Sequence, residues 1–113
     1  MDNKTKVFIE NKEIAWEKAS EGMRRKIMAY NPELMLVKVE FVKGAIGSLH
    51  SHFHTQISYV ESGIFEVEIN GDKKILTTGD AFSVPSNVIH GVVCLEAGSL
   101  IDVFNPARED FLK

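Results

Sequence analysis

The sequence predicts an all-β fold, a small antiparallel jelly-roll barrel, and three observations lead there. Short runs alternate with the period of two that a half-buried strand requires: Val37, Val39 and Phe41 face one way and Lys38 and Glu40 the other, and Ile64-Phe65-Glu66-Val67-Glu68-Ile69 alternates in the same manner. Turn signals separate such runs, at Asn31-Pro32-Glu33, Asn70-Gly71, Gly79-Asp80 and Pro85-Ser86-Asn87. The chain has 113 residues, 44% of them hydrophobic, which is enough for one core and one domain, 1–113.

The elements follow in order. Residues 6–15 are short and mixed and are expected to form an edge strand. In residues 16–30, Trp16, Ala19, Met23, Ile27 and Tyr30 recur at helical spacing. Gly22 weakens a helix there by about 1 kcal/mol relative to Ala, and the following run 34–42 is plainly a strand. The expectation is therefore a hairpin, with strand 23–29 turned at Asn31-Pro32-Glu33. Asn70-Gly71 is a strong two-residue hairpin turn, from which 73–77 returns. Further strands are expected at 88–93 and 99–104. The domain divides into N-terminal strands (1–33), the barrel proper (34–105) and a polar, Pro-broken tail (106–113). Repeats, linkers and low-complexity segments are absent from the sequence.

A formal net charge of -3 with no basic cluster argues against a nucleic-acid partner. No apolar stretch is long enough for a signal peptide or a membrane span. The single cysteine, Cys94, cannot form an internal disulfide. The expectation is a cytoplasmic protein.

The chemistry concentrates in the histidines. Three of the four stand at alternate positions, His50, His52 and His54. Residues two apart on a strand share a face, so His50 and His52 can reach one point, and Gln56 follows on the same parity. Imidazoles are the commonest metal ligands, and two on one strand make half a site. The remaining histidine, His90, lies in a turn–strand segment able to supply the other half.

These two segments resemble the paired motifs of the cupin superfamily. The first appears as Gly44, His50, His52, Gln56 and Gly63, and the second as Gly79, Pro85, Asn87, His90 and Cys94, with fifteen residues between Gly63 and Gly79. Three positions depart from the pattern: Gln56 stands in place of an acid, Asn87 of a glycine and Cys94 of an asparagine. The resemblance implies a double-stranded β-helix barrel with one divalent transition metal (Zn, Ni, Fe, Mn, Co or Cu) on His50, His52, Gln56 and His90. A neutral Gln in place of an acid would leave the metal more electrophilic, and four protein ligands would leave positions open for substrate. His54 shares the ligand parity but is skipped by the pattern, and is expected at the rim or behind a ligand.

Asp102 stands out in the apolar run Leu100-Ile101-Val103-Phe104, where a carboxylate is costly unless paired or functional. Phe104 shares its parity and is either core or substrate-facing. Arg108 either folds over the barrel mouth to bind a carboxylate or pairs on the surface with Glu109 or Asp110. Cys94 is expected as a buried small residue. Beyond the cupin motifs, GMRRKIMAYNPELMLVKVEF, HSHFHTQ and PSNVIHGVVCLEAGSLIDVFNPAREDFL resemble the KdgF-type pectin-degradation cupins. That resemblance implies metal-dependent opening of 4,5-unsaturated uronates to linear keto-uronates, with Asp102, Phe104 and Arg108 in the substrate pocket. Phe53, between the second and third His, replaces a more usual Pro. The alternatives are a metal-dependent dioxygenase and a non-catalytic sugar-binding or regulatory cupin. A homodimer formed through residues before Leu34 is expected from the exposed sheet edges of small barrels of this kind.

Overall fold

The computed structural model describes residues 6–113, so the first five residues of the expected 1–33 region lie outside the described residues. Among the described residues eight strands follow one another: β1 (Glu17–Ser20), β2 (Met23–Asn31), β3 (Leu34–Phe41), β4 (Ile46–His50), β5 (Thr55–Ile69), β6 (Asp72–Thr77), β7 (Ala81–Val84) and β8 (His90–Asn105). They pair antiparallel in the order β1-β2-β3-β8-β5-β6, with β4 also on β8 and β7 on β5. The expected all-β antiparallel fold is thus what the chain forms.

The two long strands make the barrel. β8 lends its first half to β4 and its second to β3, while β5 pairs β7 with its start and β6 with its end. Each must bend between its halves, and bulges fall at Val60/Ser62, Ser62/Ile64 and Ile64/Phe65. Gly63 sits there at φ +88°, and a Cβ on it would lie 2.8 Å from the Gly98 Cα, so the bend requires glycine. The runs 88–93 and 99–104 are therefore not separate strands. Residues 94–98 stay beside β5, which keeps β8 continuous.

β2 is a strand despite its helical spacing. Met23, Arg25 and Ile27 pair with Phe41, Val39 and Val37, on the inner face. A bulge between Ile27 and Ala29 then shifts the parity and brings Tyr30 opposite Met35. One bulge in a period-two pattern thus counterfeits positions i, i+4 and i+7. At the turn, the Asn31 carboxamide oxygen accepts from the Glu33 and Leu34 amides at 2.9 and 3.0 Å. Asn70 and Gly71, both at positive φ, close the β5–β6 hairpin as their residue types demand.

Two expectations are corrected. Residues 6–15 form no strand: they contain a 3-10 turn, Asn11–Glu13, in which the Glu13 amide bonds back to the Glu10 carbonyl at 2.9 Å. The segment is tied down by the buried Lys26 ammonium, which donates to the Asn11 side chain at 2.9 Å, so a side chain takes the place of a ladder. The tail is not a free polar end either. Ala107 is buried and its amide donates to the Pro32 carbonyl, and Phe111 packs edge-on against Phe104 at 5.8 Å. The core lies between the two walls, with Met35, Val37, Val60 and Phe65 wholly buried and Phe41 edge-on to Phe65 at 5.0 Å.

Candidate active site

His50 ends β4 directly across from His90, which begins β8. His52 is not on a strand: it lies in the loop 51–54, which the second turn clamps. The Asn87 amide donates to the His52 carbonyl at 2.8 Å and the Ser86 hydroxyl to the Phe53 carbonyl at 2.6 Å. Asn87 itself sits at φ +67°, a conformation that asparagine tolerates better than most residues, which accounts for Asn in a glycine's place. The rings of His50, His52 and His90 lie 4.4 to 5.5 Å apart, centre to centre, and each offers a nitrogen within 4.8 Å of the others.

The backbone decides which nitrogens those are. Nδ1 of His50, His52 and His90 meets the carbonyl of Ser48, His54 and Val88 at 2.7, 3.0 and 2.9 Å. A carbonyl only accepts, so each Nδ1 carries the proton and each Nε2 presents a lone pair. His90 Nε2 is buried with no partner. Burial, reinforced by neighbouring positive charge, pushes the His90 pKa down to about 4, although the Val88 hydrogen bond opposes the shift. His52 is lowered too, first by burial and then by Arg108. Both rings are therefore neutral at pH 7.

On the inner face of β5, buried Gln56 points its carboxamide oxygen at His52 Nε2, 3.1 Å away. Both atoms are acceptors, and only a cation between them makes that approach favourable. Three convergent ring lone pairs, one orphaned in the interior, fit a divalent transition metal. The three histidines can hold such an ion. His54 stands outside this group: its ring stacks on exposed Phe53 at 4.0 Å, while its carbonyl orients His52.

The same cavity, of about 210 Å³, is lined by His50, Gln56, His90, Asp102, Phe104 and Arg108. Asp102 lies between Val37 of β3 and Ser58 of β5, on the inward face. Burial pushes its carboxyl up to about 6, against the Ser58 hydrogen bond and the Arg108 charge. Ser58 Oγ is 2.6 Å from Asp102 Oδ1, and Gln56 Nε2 is 2.9 Å from Ser58 Oγ. Arg108 pairs with Asp110 through Nε and Nη2 at 3.1 and 2.8 Å, and its plane lies over Phe104 and Phe111 at 5.0 and 4.2 Å. It is thus both ion-paired within the tail and part of the cavity wall. Cys94 is fully buried in the core, away from the cavity.

Sequence reasoning missed Ser58, which lies behind the wall between Gln56 and Asp102, and two residues of the wall itself. Ser58 continues the Gln56 parity, a usable signal, but its pairing with Asp102 depends on strand register. Arg25 of β2 and Phe111 line the cavity, with the Arg25 guanidinium 3.9 Å over the Phe111 ring. The helical spacing around residue 25 hid its inward direction.

Comparisons with known proteins agree with this geometry. A model of the cupin domain family matches residues 37–104. The chain is 53% identical over 107 residues to the pectin degradation protein KdgF of Dickeya dadantii (strain 3937), covering 93% of this chain and 96% of that protein. It is similar to the solved structure of an RmlC-like cupin from Shewanella frigidimarina, with TM-score 0.93, 45% identity, and 97% and 99% of the two chains covered. It is also similar to the structure of KdgF from a Halomonas species, with TM-score 0.89, 47% identity, and 95% and 99% covered.

Proposed function

The chain belongs to the cupin family and is a KdgF homologue, and from that membership we propose that it opens 4,5-unsaturated uronates, released in pectin or alginate breakdown, to linear keto-uronates. The observation that carries this reading is that the cavity lined by His50, His90, Asp102 and Arg108 adjoins the cluster these two histidines form with His52, which brings ring lone pairs, a carboxylate and a guanidinium together. His50, His52, Gln56 and His90 would hold one divalent transition metal. When bound, that ion supplies a Lewis acid for substrate oxygens.

The remaining chemistry falls to the chain's own residues. Asp102 takes the proton of the anomeric hydroxyl, and the carbonyl forms at that carbon as its bond to the ring oxygen breaks. The released electron pair leaves an enolate at the far end of the former ring ether. Returning the proton to the adjacent alkene carbon gives the ketone. Substrate and product are isomers, so no oxidant enters. A carboxyl poised near 6 suits a group that both accepts and returns a proton near neutrality. Arg108 retains hydrogens on Nη1 that Asp110 does not engage, and these bind the uronate carboxylate. Phe104 shapes the apolar side of the sugar site.

The test is to incubate metal-loaded protein with unsaturated monouronates and follow the conjugated alkene by ultraviolet absorbance and the new ketone by NMR. Loss of the alkene with no oxygen uptake is expected. An unchanged alkene in fully metal-loaded protein overturns the reading.

The protein is further proposed to act in the cytoplasm as a two-fold homodimer joined through residues before Leu34. Among the described residues, no helix is long and apolar enough to cross a membrane. β1 is a sheet edge, and Val7 and Phe8, earlier in the same N-terminal region, are 83% and 88% exposed, apolar surface that a second copy would cover. Sedimentation as a monomer at micromolar concentration would contradict the dimer.

A further inference from the structure

We propose that Ser58 is a positioning residue that fixes which end of the Gln56 carboxamide faces the histidines; this rests on the metal site proposed above. An ionised carboxylate accepts and cannot donate. The Ser58 hydroxyl, 2.6 Å from Asp102 Oδ1, must therefore give its only proton to Asp102. Having spent it, Ser58 Oγ can meet Gln56 only as an acceptor. The Gln56 group 2.9 Å away is then the amide NH₂, and the carboxamide oxygen is left pointing at His52.

That orientation runs against local preference. His52 Nε2 is a lone pair, because Nδ1 is committed to the His54 carbonyl. Left alone, the amide would turn over and donate its NH₂ to that lone pair. The turned amide would occupy the ring nitrogen and direct hydrogens, not oxygen, at any cation. Ser58, wholly buried and locked to Asp102, holds the amide in the orientation that leaves both acceptors free. Asp102 thereby acts at a distance on the metal site, through a relay of two side chains.

A glutamate at position 56 would not need this device, since its two oxygens are equivalent. The test is accordingly a double-mutant cycle read as the affinity for Ni²⁺ alone, by titration calorimetry without substrate. Ser58→Ala on the Gln56 background should weaken binding roughly 10–100-fold, and Ser58→Thr, which retains the hydroxyl, should restore most of it. On the Gln56→Glu background, Ser58→Ala should change affinity by less than about threefold, a coupling that general loosening of the barrel would not produce. Equal losses on both backgrounds, or no loss on either, overturn the proposal while leaving the metal site standing. No Ni²⁺ uptake by the unaltered protein overturns the metal site and this inference together. A measurement on the unaltered metal-free protein needs no variant to fold: nuclear Overhauser contacts from the Gln56 NH₂ should reach the Ser58 methylene, and contacts to the His52 ring instead would overturn the proposal.

Discussion

The two ends of the cavity are held in different ways. At the histidine end, all three rings are anchored by main-chain carbonyls within two residues of themselves. Their aim depends on backbone path alone, and that path is pinned by β4, β8 and the Asn87 amide. At the opposite end, side chains hold side chains. Asp102 leans on Ser58, while Arg108 leans on Asp110 and on two phenyl rings carried by separate elements. Local anchoring gives a rigid donor set. Long-range anchoring gives a wall that depends on the tail being docked, and whose Asp102 reaches the donors through Ser58 and Gln56.

The largest expected effect breaks the histidine end. His52→Ala removes one of three imidazoles without touching a main-chain bond of the barrel. Bound metal should be lost altogether and the circular dichroism of a folded β protein kept. Full metal content in this variant, by elemental analysis, would remove His52 from the ligand set.

Next in size is Asp102→Asn, which keeps shape and removes the acceptor charge. Turnover of unsaturated uronates should fall by about 10²–10⁴ with metal saturated. If excess metal restores activity, Asp102 serves only through the Ser58–Gln56 relay, and the proton must move elsewhere. Arg108→Lys is gentler, since it keeps the charge but loses the planar fork and the stacking on Phe104 and Phe111. A rise in KM of about tenfold with kcat little changed is expected from steady-state kinetics. An unchanged KM would leave Arg108 as a partner of Asp110 and nothing more.

The same contrast explains what was legible in the sequence. The donor set could be read from spacing because its anchoring is local: His50 and His52, Gln56 on the next strand, and a turn ending three residues before His90 all sit within short segments. Asp102 could be noticed as a charge in an apolar run, but its partner could not, because Ser58 meets it only through the β5–β8 register forty-four residues away. Arg25 was concealed by a bulge that mimicked a helix. The tail read as polar because its letters are polar; its docking depends on Phe111 finding Phe104 and Ala107 finding Pro32, contacts that no local pattern encodes.

The last effect expected is on stability, and it separates the two ends by sign. In metal-free protein, His90 is held near 4 against an ordinary value of 6.5. Between those values the unfolded chain binds the extra proton, so acidification from pH 6.5 to 4 destabilises the fold. Asp102 is shifted the other way, from 3.8 to about 6. Between those values the folded protein binds the extra proton, so the same acidification favours the fold. The two opposed contributions largely offset each other in the unaltered protein. Asp102→Asn removes only the second, while acid-sensitive carboxylates such as Glu61 and Asp110 remain common to both proteins. The melting temperature of metal-free Asp102→Asn should therefore drop further below that of the unaltered protein as pH falls from 6.5 to 4. The added gap should correspond to at most about 3 kcal/mol. Melting curves that stay parallel across this range would mean that Asp102 is as free to ionise in the cavity as in water, and its role as a poised proton carrier would lose its physical basis.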